Sequence, residues 1–291
     1  MDLTEKLNKG FMMPFKVYNG PIPQAVPAIR KDGRAFAGGD MVLAQKLDAL
    51  QPQDEEKIDG WGNNYFDLAD LCLTFEDLVK LQPNSPLLTG IRGVVNAQNG
   101  LFIAVDADAV KAAVSQNGWK YFKAQLSASE KAEYTARDGE QCNEEAKDII
   151  LLPYDGKSFK LNPDQFKAVK AEELKRKNMI YGRDMKKDEI VKRGKVIHSA
   201  YKIYPANLVV LLTDKVFEYA GKKWGYDTNM GLFLPDELQN IAEGRALCAL
   251  RLDDGSRLDG RVGFGVGYCR SVGVASGFAE GGAQKFMYKN K

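Results

Sequence analysis

The segment Leu247–Cys269, LCALRLDDGSRLDGRVGFGVGYC, carries the strongest fold signal in this chain of 291 residues. Apolar residues lie on both sides of Asp254-Gly255, and Asp-Gly is a dipeptide that favours tight hairpin turns. The pattern therefore predicts two antiparallel strands joined at this turn. We expect the C-terminal region to be rich in β-hairpins.

Strands and helices alternate through the rest of the chain. Leu101–Val105 is a short apolar run between Gly100 and Asp106, which predicts a buried strand followed by a helix at Ala109–Gln116. The longest apolar run, Asn207–Thr213, is also predicted to be a buried strand because of its length. The expected fold class is α/β or α+β, with one or more mixed sheets and packed helices.

Prolines and a capping signal make two further structural predictions. Asn162-Pro163 is a helix start, because asparagine caps helices and proline suits their first turn. We expect that helix to reach about Lys177. The first 38 residues are predicted to be irregular or an edge strand, because proline lacks the N–H that a central strand donates, and Pro21, Pro23 and Pro27 interrupt any ladder there.

Charge divides the chain into an acidic and a basic half. Residues 1–150 contain 16 Lys and Arg against 22 Asp and Glu, a net charge of −6, whereas residues 151–291 contain 25 against 17, a net charge of +8. We therefore predict an acidic N-terminal α/β lobe at 1–155 and a basic C-terminal α+β lobe at 156–291. A single continuous domain is the alternative.

Composition excludes several classes of site. His198 is the one histidine, so a monomer has no site that needs two imidazoles. The four cysteines form no C-x-x-C pair, which disfavours a zinc ribbon or finger. No apolar run approaches the about 20 residues that span a bilayer, and the first residues lack a signal core. We expect a cytoplasmic protein without membrane contacts.

Two carboxylates follow the predicted strand Leu101–Val105. Asp106 and Asp108 are spaced as D-x-D, and side chains at the carboxyl end of a strand reach the crevice where α/β proteins bind ligands. Carboxylates there hold hard cations such as Mg²⁺. Sugar-nucleotide transferases use D-x-D in this way. The alternative is that Asp106 ends the strand and Asp108 caps the following helix.

The same residues resemble motifs of the haloacid dehalogenase-type phosphatases. Asp106-x-Asp108-x-Val110 is similar to their first motif, and Thr213, after the apolar Val209–Leu212, is similar to their second. The resemblance implies catalytic roles for Asp106 and Asp108. It also implies a phosphate-binding lysine and further metal-binding carboxylates, for which the matching positions are Lys215 or Lys222, and Asp253 with Asp254.

A glycine stripe occupies the end of the predicted hairpin. Gly263, Gly265 and Gly267 alternate with apolar residues, so one face of a strand there would carry no side chains. A bare face allows another element to approach closely. The stripe is therefore predicted to pack against a helix of the same chain or to form a subunit interface.

Basic residues are dense between residues 167 and 202, where 12 Lys and Arg face 5 Asp and Glu. Such density is typical of an exposed helical face, and it also suits phosphate contacts that release counterions. The polyanion-binding hypothesis rests on seven residues in this segment, Lys175, Arg176, Lys177, Lys186, Lys187, Lys192 and Arg193.

The sequence leaves the choice between an enzyme and a binding protein open. The leading hypothesis is a non-catalytic binding or assembly protein that self-associates or binds a protein partner and needs no cofactor. The first alternative is a Mg²⁺-dependent phosphoryl- or glycosyl-transfer enzyme that uses Asp106, Asp108, Asp253 and Asp254. The second is a protein that binds nucleic acid or another polyanion through residues 167–202.

Overall fold

The structure is a computed structural model that describes most of the chain. The described ranges are 14–51, 54–97, 100–115, 131–135, 141–145, 149–175, 196–197, 199–224, 229–235, 240–252, 257–261, 264 and 270–275.

The helices in these ranges are mostly short. A turn at Glu55–Lys57 continues into a π-helix at Ile58–Gly62, and a 3₁₀-helix covers Ser199–Ile203. The α-helices are α1 (Ile22–Lys31), α2 (Gly39–Leu50), α3 (Pro86–Thr89), α4 (Ala107–Ala113), α5 (Pro163–Ala168) and α6 (Ala206–Trp224).

The strands form two larger sheets and one small parallel pair. They are β1 (Phe15–Asn19), β2 (Arg34–Phe36), β3 (Phe66–Phe75), β4 (Leu78–Gln82), β5 (Ile91–Ala97), β6 (Gly100–Asp106), β7 (Lys131–Thr135), β8 (Gln141–Glu145), β9 (Ile149–Pro153), β10 (Phe159–Leu161), β11 (Glu172–Lys175), β12 (Val196–Ile197), β13 (Asn229–Met230), β14 (Leu232–Phe233), β15 (Ala242–Ala249), β16 (Leu258–Asp259) and β17 (Arg270–Ala275).

The central strand β3 is buried on both faces. Leu68 and Cys72 belong to one apolar cluster, and Ala69 and Leu71 belong to another on the opposite face. This explains why its sequence, FDLADLCLTF, is apolar with little alternation. The strand separates the two main parts of the core.

The large sheet has ten strands in the order β1-β17-β3-β15-β16-β14, with β2 beside β17, β4 beside β3, β11 beside β4, and β10 beside β15. Helices α2 and α6 pack together against one face, and α1 and a second sheet lie on the other side, where α1 contacts β5. The second sheet is antiparallel, in the order β8-β7-β5-β6-β9. Mostly antiparallel sheets with separate helices confirm the α+β form of the predicted fold class.

The C-terminal hairpin is confirmed where the structure describes it. Strands β15 and β16 pair antiparallel, with Ala249 opposite Leu258, and the amide of Leu250 donates to the carbonyl of Arg257 at 2.8 Å. The predicted turn residues Asp254-Gly255 lie outside the described residues.

The predicted strand at Asn207–Thr213 is wrong, because this segment is the first half of α6. Val210 and Leu211 are exposed there, whereas the buried residues recur at helical spacing and continue past the apolar run as Val216 and Phe217. An apolar run this short does not show whether its buried residues repeat with the period of a strand or with that of a helix.

The predictions for the first 38 residues and for the helix that begins after Asn162 also differ from the structure. The first 38 residues, predicted to be irregular or an edge strand, contain the edge strand β1 and also helix α1, with Pro23 in its first turn and Pro27 inside it. Helix α5 does begin with a capping box between Asn162 and Gln165, but it ends at Ala168 instead of reaching Lys177.

The predicted division at 155/156 crosses the large sheet. Strand β3 precedes it and its partner β15 follows it, and β1 likewise pairs with β17. The two-lobe division stays a prediction, and the shared sheet leads us to expect one cooperative unit. No helix within the described ranges is long and apolar enough to cross a membrane.

We predict that a fragment of residues 1–155 does not fold alone, because β3 would lose β15 and the cover of α6. Circular dichroism and urea titration should show no cooperative transition for this fragment. Co-expression with residues 156–291 should restore one. A cooperative transition in the isolated fragment would support two lobes instead.

Gly244 provides a second test of the packing. A Cβ at this position would lie 2.1–2.5 Å from the ring of Phe159, which stacks on Phe264 with ring centroids 5.7 Å apart. We expect Gly244→Ala to lower the free energy of unfolding by about 1–3 kcal/mol, the usual effect of overpacking.

The matched control is Gly221→Ala on the exposed side of α6, where a Cβ meets nothing within 4 Å. That variant should gain about 0.5–1 kcal/mol, because alanine favours a helix over glycine. Urea unfolding of both variants measures the difference. Equal effects would contradict the packing of Phe159 on Gly244.

Candidate functional site

A row of charged side chains crosses the large sheet at strands β10, β15 and β16. We call it the ionic row. In spatial order it consists of Asp155, Lys160, Glu243, Arg245, Asp259, Arg261 and Arg257.

Strand alternation places the middle of the row on one face. Gly244 meets the ring of Phe159 on one side of β15, so Glu243 and Arg245 point to the other. Lys160 lies directly opposite Glu243 in the β10–β15 register and forms an ion pair with it. Pairing of two short strands therefore brings these three residues together.

Each carboxylate in the first half of the row is held by cations. Lys160 Nζ lies 3.0 Å from Asp155 Oδ2, and Arg245 Nη2 lies 2.8 Å from Glu243 Oε2. Burial opposes ionisation of Glu243, but Lys160 and Arg245 outweigh it and lower its pKa. Burial also opposes ionisation of Asp155, but the amides of Ser158 and Lys157 and the Lys160 amine hold its pKa at about 2.

The other end of the row is built around Phe233. Arg245 donates to the carbonyl of Arg261, and the Arg261 side chain binds Asp259 through Nη2–Oδ2 at 2.6 Å and Nε–Oδ1 at 3.0 Å. The guanidinium carbons of Arg261 and Arg257 lie 4.4 and 5.3 Å from the centroid of the Phe233 ring. We call Arg257, Arg261 and Phe233 the arginine end. Aromatic contact and the Asp259 carboxylate fix its geometry.

The comparisons with known proteins assign no family. No known protein family matches the sequence, and no curated protein matches it either. The chain is similar to a solved structure described as "Accommodation of massive sequence variation in Nanoarchaeota by the C-type lectin fold", with 14% sequence identity and a TM-score of 0.45. The match covers 89% of this chain and 97% of that one.

The two predicted D-x-D residues have different surroundings, and one of them binds arginines. Asp106 ends β6, and its carboxylate binds Arg30 at 2.8 Å and also Arg92. Asp108 is exposed in the first turn of α4, which begins at Ala107, so Asp108 is not the cap residue that the alternative proposed. A carboxylate in the first turn still interacts favourably with the helix dipole.

The other positions of the phosphatase resemblance are not brought to this carboxylate pair in the described part of the chain. Thr213 lies inside α6, where its hydroxyl donates to the carbonyl of Val209 at 2.6 Å, so it does not end a strand. Lys215 and Lys222 bind Glu218 on the outside of the same helix. Asp253 and Asp254 lie outside the described residues. Within those residues, no group of three or more His, Cys, Asp or Glu side chains is arranged to hold a metal ion.

The remaining predicted sites fall largely outside the described ranges. Lys175 is exposed on strand β11, whereas the predicted helix would have continued through it. His198 lies outside the described residues. The same holds for the stripe glycines and for the other predicted basic positions, which are Gly263, Gly265, Gly267, Arg176, Lys177, Lys186, Lys187, Lys192 and Arg193. Phe264, from the apolar side of the stripe, is buried in the protein's own core.

The ionic row was not predicted from the sequence, although one signal was present. Glu243 and Arg245 alternate along β15 with opposite charges, and Asp259 and Arg261 repeat that spacing after the turn. Alternate positions share a face of a strand. The rule places Glu243 and Arg245 together, but both precede the predicted hairpin at Leu247–Cys269, so the sequence gives no sign that the two pairs meet.

One further carboxyl has an altered pKa but no access to solvent. Asp70 on β3 is fully buried and accepts hydrogen bonds from the amides of Gly39 and Asn84, at 2.9 and 2.8 Å, and from the Tyr204 hydroxyl at 2.6 Å. Burial raises its pKa to about 6 in spite of these bonds. It joins α2, β3 and the segment before α6.

We predict that Asp70 makes the protein less stable as the pH rises. Its folded pKa of about 6 exceeds the unfolded value of 3.8, so the folded state binds this proton more tightly. Its contribution is therefore most favourable below pH 4 and declines until pH 6. The stability of the wild type minus that of Asp70→Asn should fall by about 3 kcal/mol over this window.

Urea titrations of both proteins at pH 4 and pH 7 measure this difference. Asp32→Asn is the control with the opposite sign, because hydrogen bonds from Lys16 and Tyr18 lower the pKa of Asp32. The pH window of Asp32 lies below its unfolded pKa of 3.8, so the stability of the wild type relative to that variant should change little between pH 4 and pH 7 and should fall only in a further titration below pH 4. A pH-independent effect of Asp70→Asn would show that the burial of this carboxyl has been misjudged.

Proposed function

We propose that this chain is a non-catalytic binding protein whose ionic row contacts a protein partner. The observation that carries the proposal is the row itself, in which three cations and three carboxylates form ion pairs on one sheet and a fourth cation, Arg257, lies against Phe233. Charges of both signs at fixed positions favour a partner with the complementary order and exclude others.

The pKa values of the row support binding over catalysis. A general acid or base works best when its pKa lies near the working pH. In the row, Glu243 and Asp155 have lowered pKa values and stay ionised. Asp70 has a raised pKa near 6, but its hydrogen bonds and complete burial separate it from any substrate.

The two alternatives have less support in the described residues. A Mg²⁺-dependent phosphoryl- or glycosyl-transfer site would require the Asp106 carboxylate to leave its ion pairs with Arg30 and Arg92 and bind a metal ion instead. Its support remains the D-x-D spacing. For the polyanion hypothesis, the described part of the predicted set is Lys175, an exposed residue on a strand. Both remain alternatives to the proposal.

Cross-linking in the cells where the protein occurs tests the proposal. A carbodiimide joins amines to carboxylates at contact distance, and both ends of the first ion pair, Lys160 and Asp155, are accessible to it. We expect mass spectrometry to map partner peptides onto these two residues. The double variant Lys160→Gln and Arg261→Gln should lose the links at Asp155, because it removes two partly exposed cations of the row while it leaves the Asp155 carboxylate available for coupling.

Lys222→Gln is the control, since Lys222 is an exposed, ion-paired lysine on α6 and not in the row. It should leave the links to Asp155 unchanged. Melting temperatures of all variants confirm that they are folded. Partner links that map only to other surfaces, or that persist in the double variant, would overturn the proposed function.

A further inference from the structure

We infer that the partner presents carboxylates to the arginine end, so that the ligand is an acidic protein segment. This inference rests on the proposed function and specifies the chemistry of the partner. It depends on which charges of the row reach solvent, because a partner contacts the exposed charges and not the buried ones.

Two carboxylates of the row are more deeply buried than the cations that bind them. The side chains of Glu243 and Asp259 are 9% and 3% exposed, whereas those of Lys160 and Arg261 are 25% and 33% exposed. Two of the three carboxylates therefore lie beneath the cations. Among the described charges of the arginine end, Arg257 and Arg261 are partly exposed and Asp259 is buried, so the described charges that a partner can reach there are positive.

The arginine end is also held in place before any partner binds. Asp259 fixes the Arg261 guanidinium by two hydrogen-bonding nitrogens, and the Phe233 ring supports both Arg261 and Arg257. A planar guanidinium matches the geometry of a carboxylate, and a fixed one loses little side-chain entropy on binding. Two such groups beside one ring suit adjacent acidic side chains.

The distribution of carboxylates favours an acidic protein over a nucleic acid. Asp155, at the far end of the row, is 46% exposed, and it would repel a phosphate chain that followed the row. Nucleic-acid sites need several cations along the backbone without opposing charges. A protein segment can place carboxylates at the arginine end and a basic residue near Asp155.

Fluorescence anisotropy with a short labelled glutamate-rich peptide tests the inference. We expect binding at low ionic strength that weakens as salt is added. The double variant Arg257→Gln and Arg261→Gln should weaken the affinity by about tenfold or more, because charged anchors dominate such contacts. Lys222→Gln should bind like the wild type, and a lysine-rich peptide should not bind.

Two results would overturn the inference. One is a glutamate-rich peptide that does not bind, or that binds equally to the folded double variant. The other is a single-stranded oligonucleotide that binds more tightly than the peptide and loses its affinity in the same variant. If partner cross-links still map to Lys160 and Asp155 while the peptide fails, the acidic partner is wrong and the proposed function stands. If those links are absent as well, both are wrong.

Discussion

The pairing of β3 with β15 is the constraint on which the rest of the structure depends. It joins residues about 170 to 180 positions apart, with Leu73 opposite Gly244 and Ala246 opposite Leu71, and it forms the middle of the ten-stranded sheet. Both faces of β3 are buried, so a shift of one residue would exchange the two apolar clusters. The register is therefore strongly specified, and β17 on one side and β16 on the other are positioned from it.

The ionic row is a consequence of that register. Gly244 admits the Phe159 ring on one face, which brings β10 alongside β15 and sets Lys160 against Glu243 on the other face. Removing either partner of such a pair leaves a partly buried charge, which costs more than the pair contributes. The row is thus kept intact by the packing beneath it, and the same packing decides which of its charges face solvent.

Local signals predicted some elements well and failed at others for identifiable reasons. The strand at Leu101–Val105, the helix start at Asn162-Pro163 and the β15–β16 hairpin were predicted because each depends on residues that are close in sequence. The predicted strand at Asn207–Thr213 was wrong because the helical spacing of its buried residues becomes visible only when the residues after Thr213 are included. Asp106 and Asp108 were an alternative metal site, and nothing in the sequence indicates that Arg30 and Arg92 converge on Asp106.

The sequence by itself determined the fold class, the scarcity of imidazole and the uneven charge of the two halves, because composition and short-range periodicity carry that information. Only the tertiary structure decided that Glu243 lies against Lys160, that Asp106 is neutralised by arginines and that Asp70 is buried with a raised pKa. Contacts between distant residues follow from strand register and burial. Those properties arise from the packing of the whole chain and have no signature in a single segment.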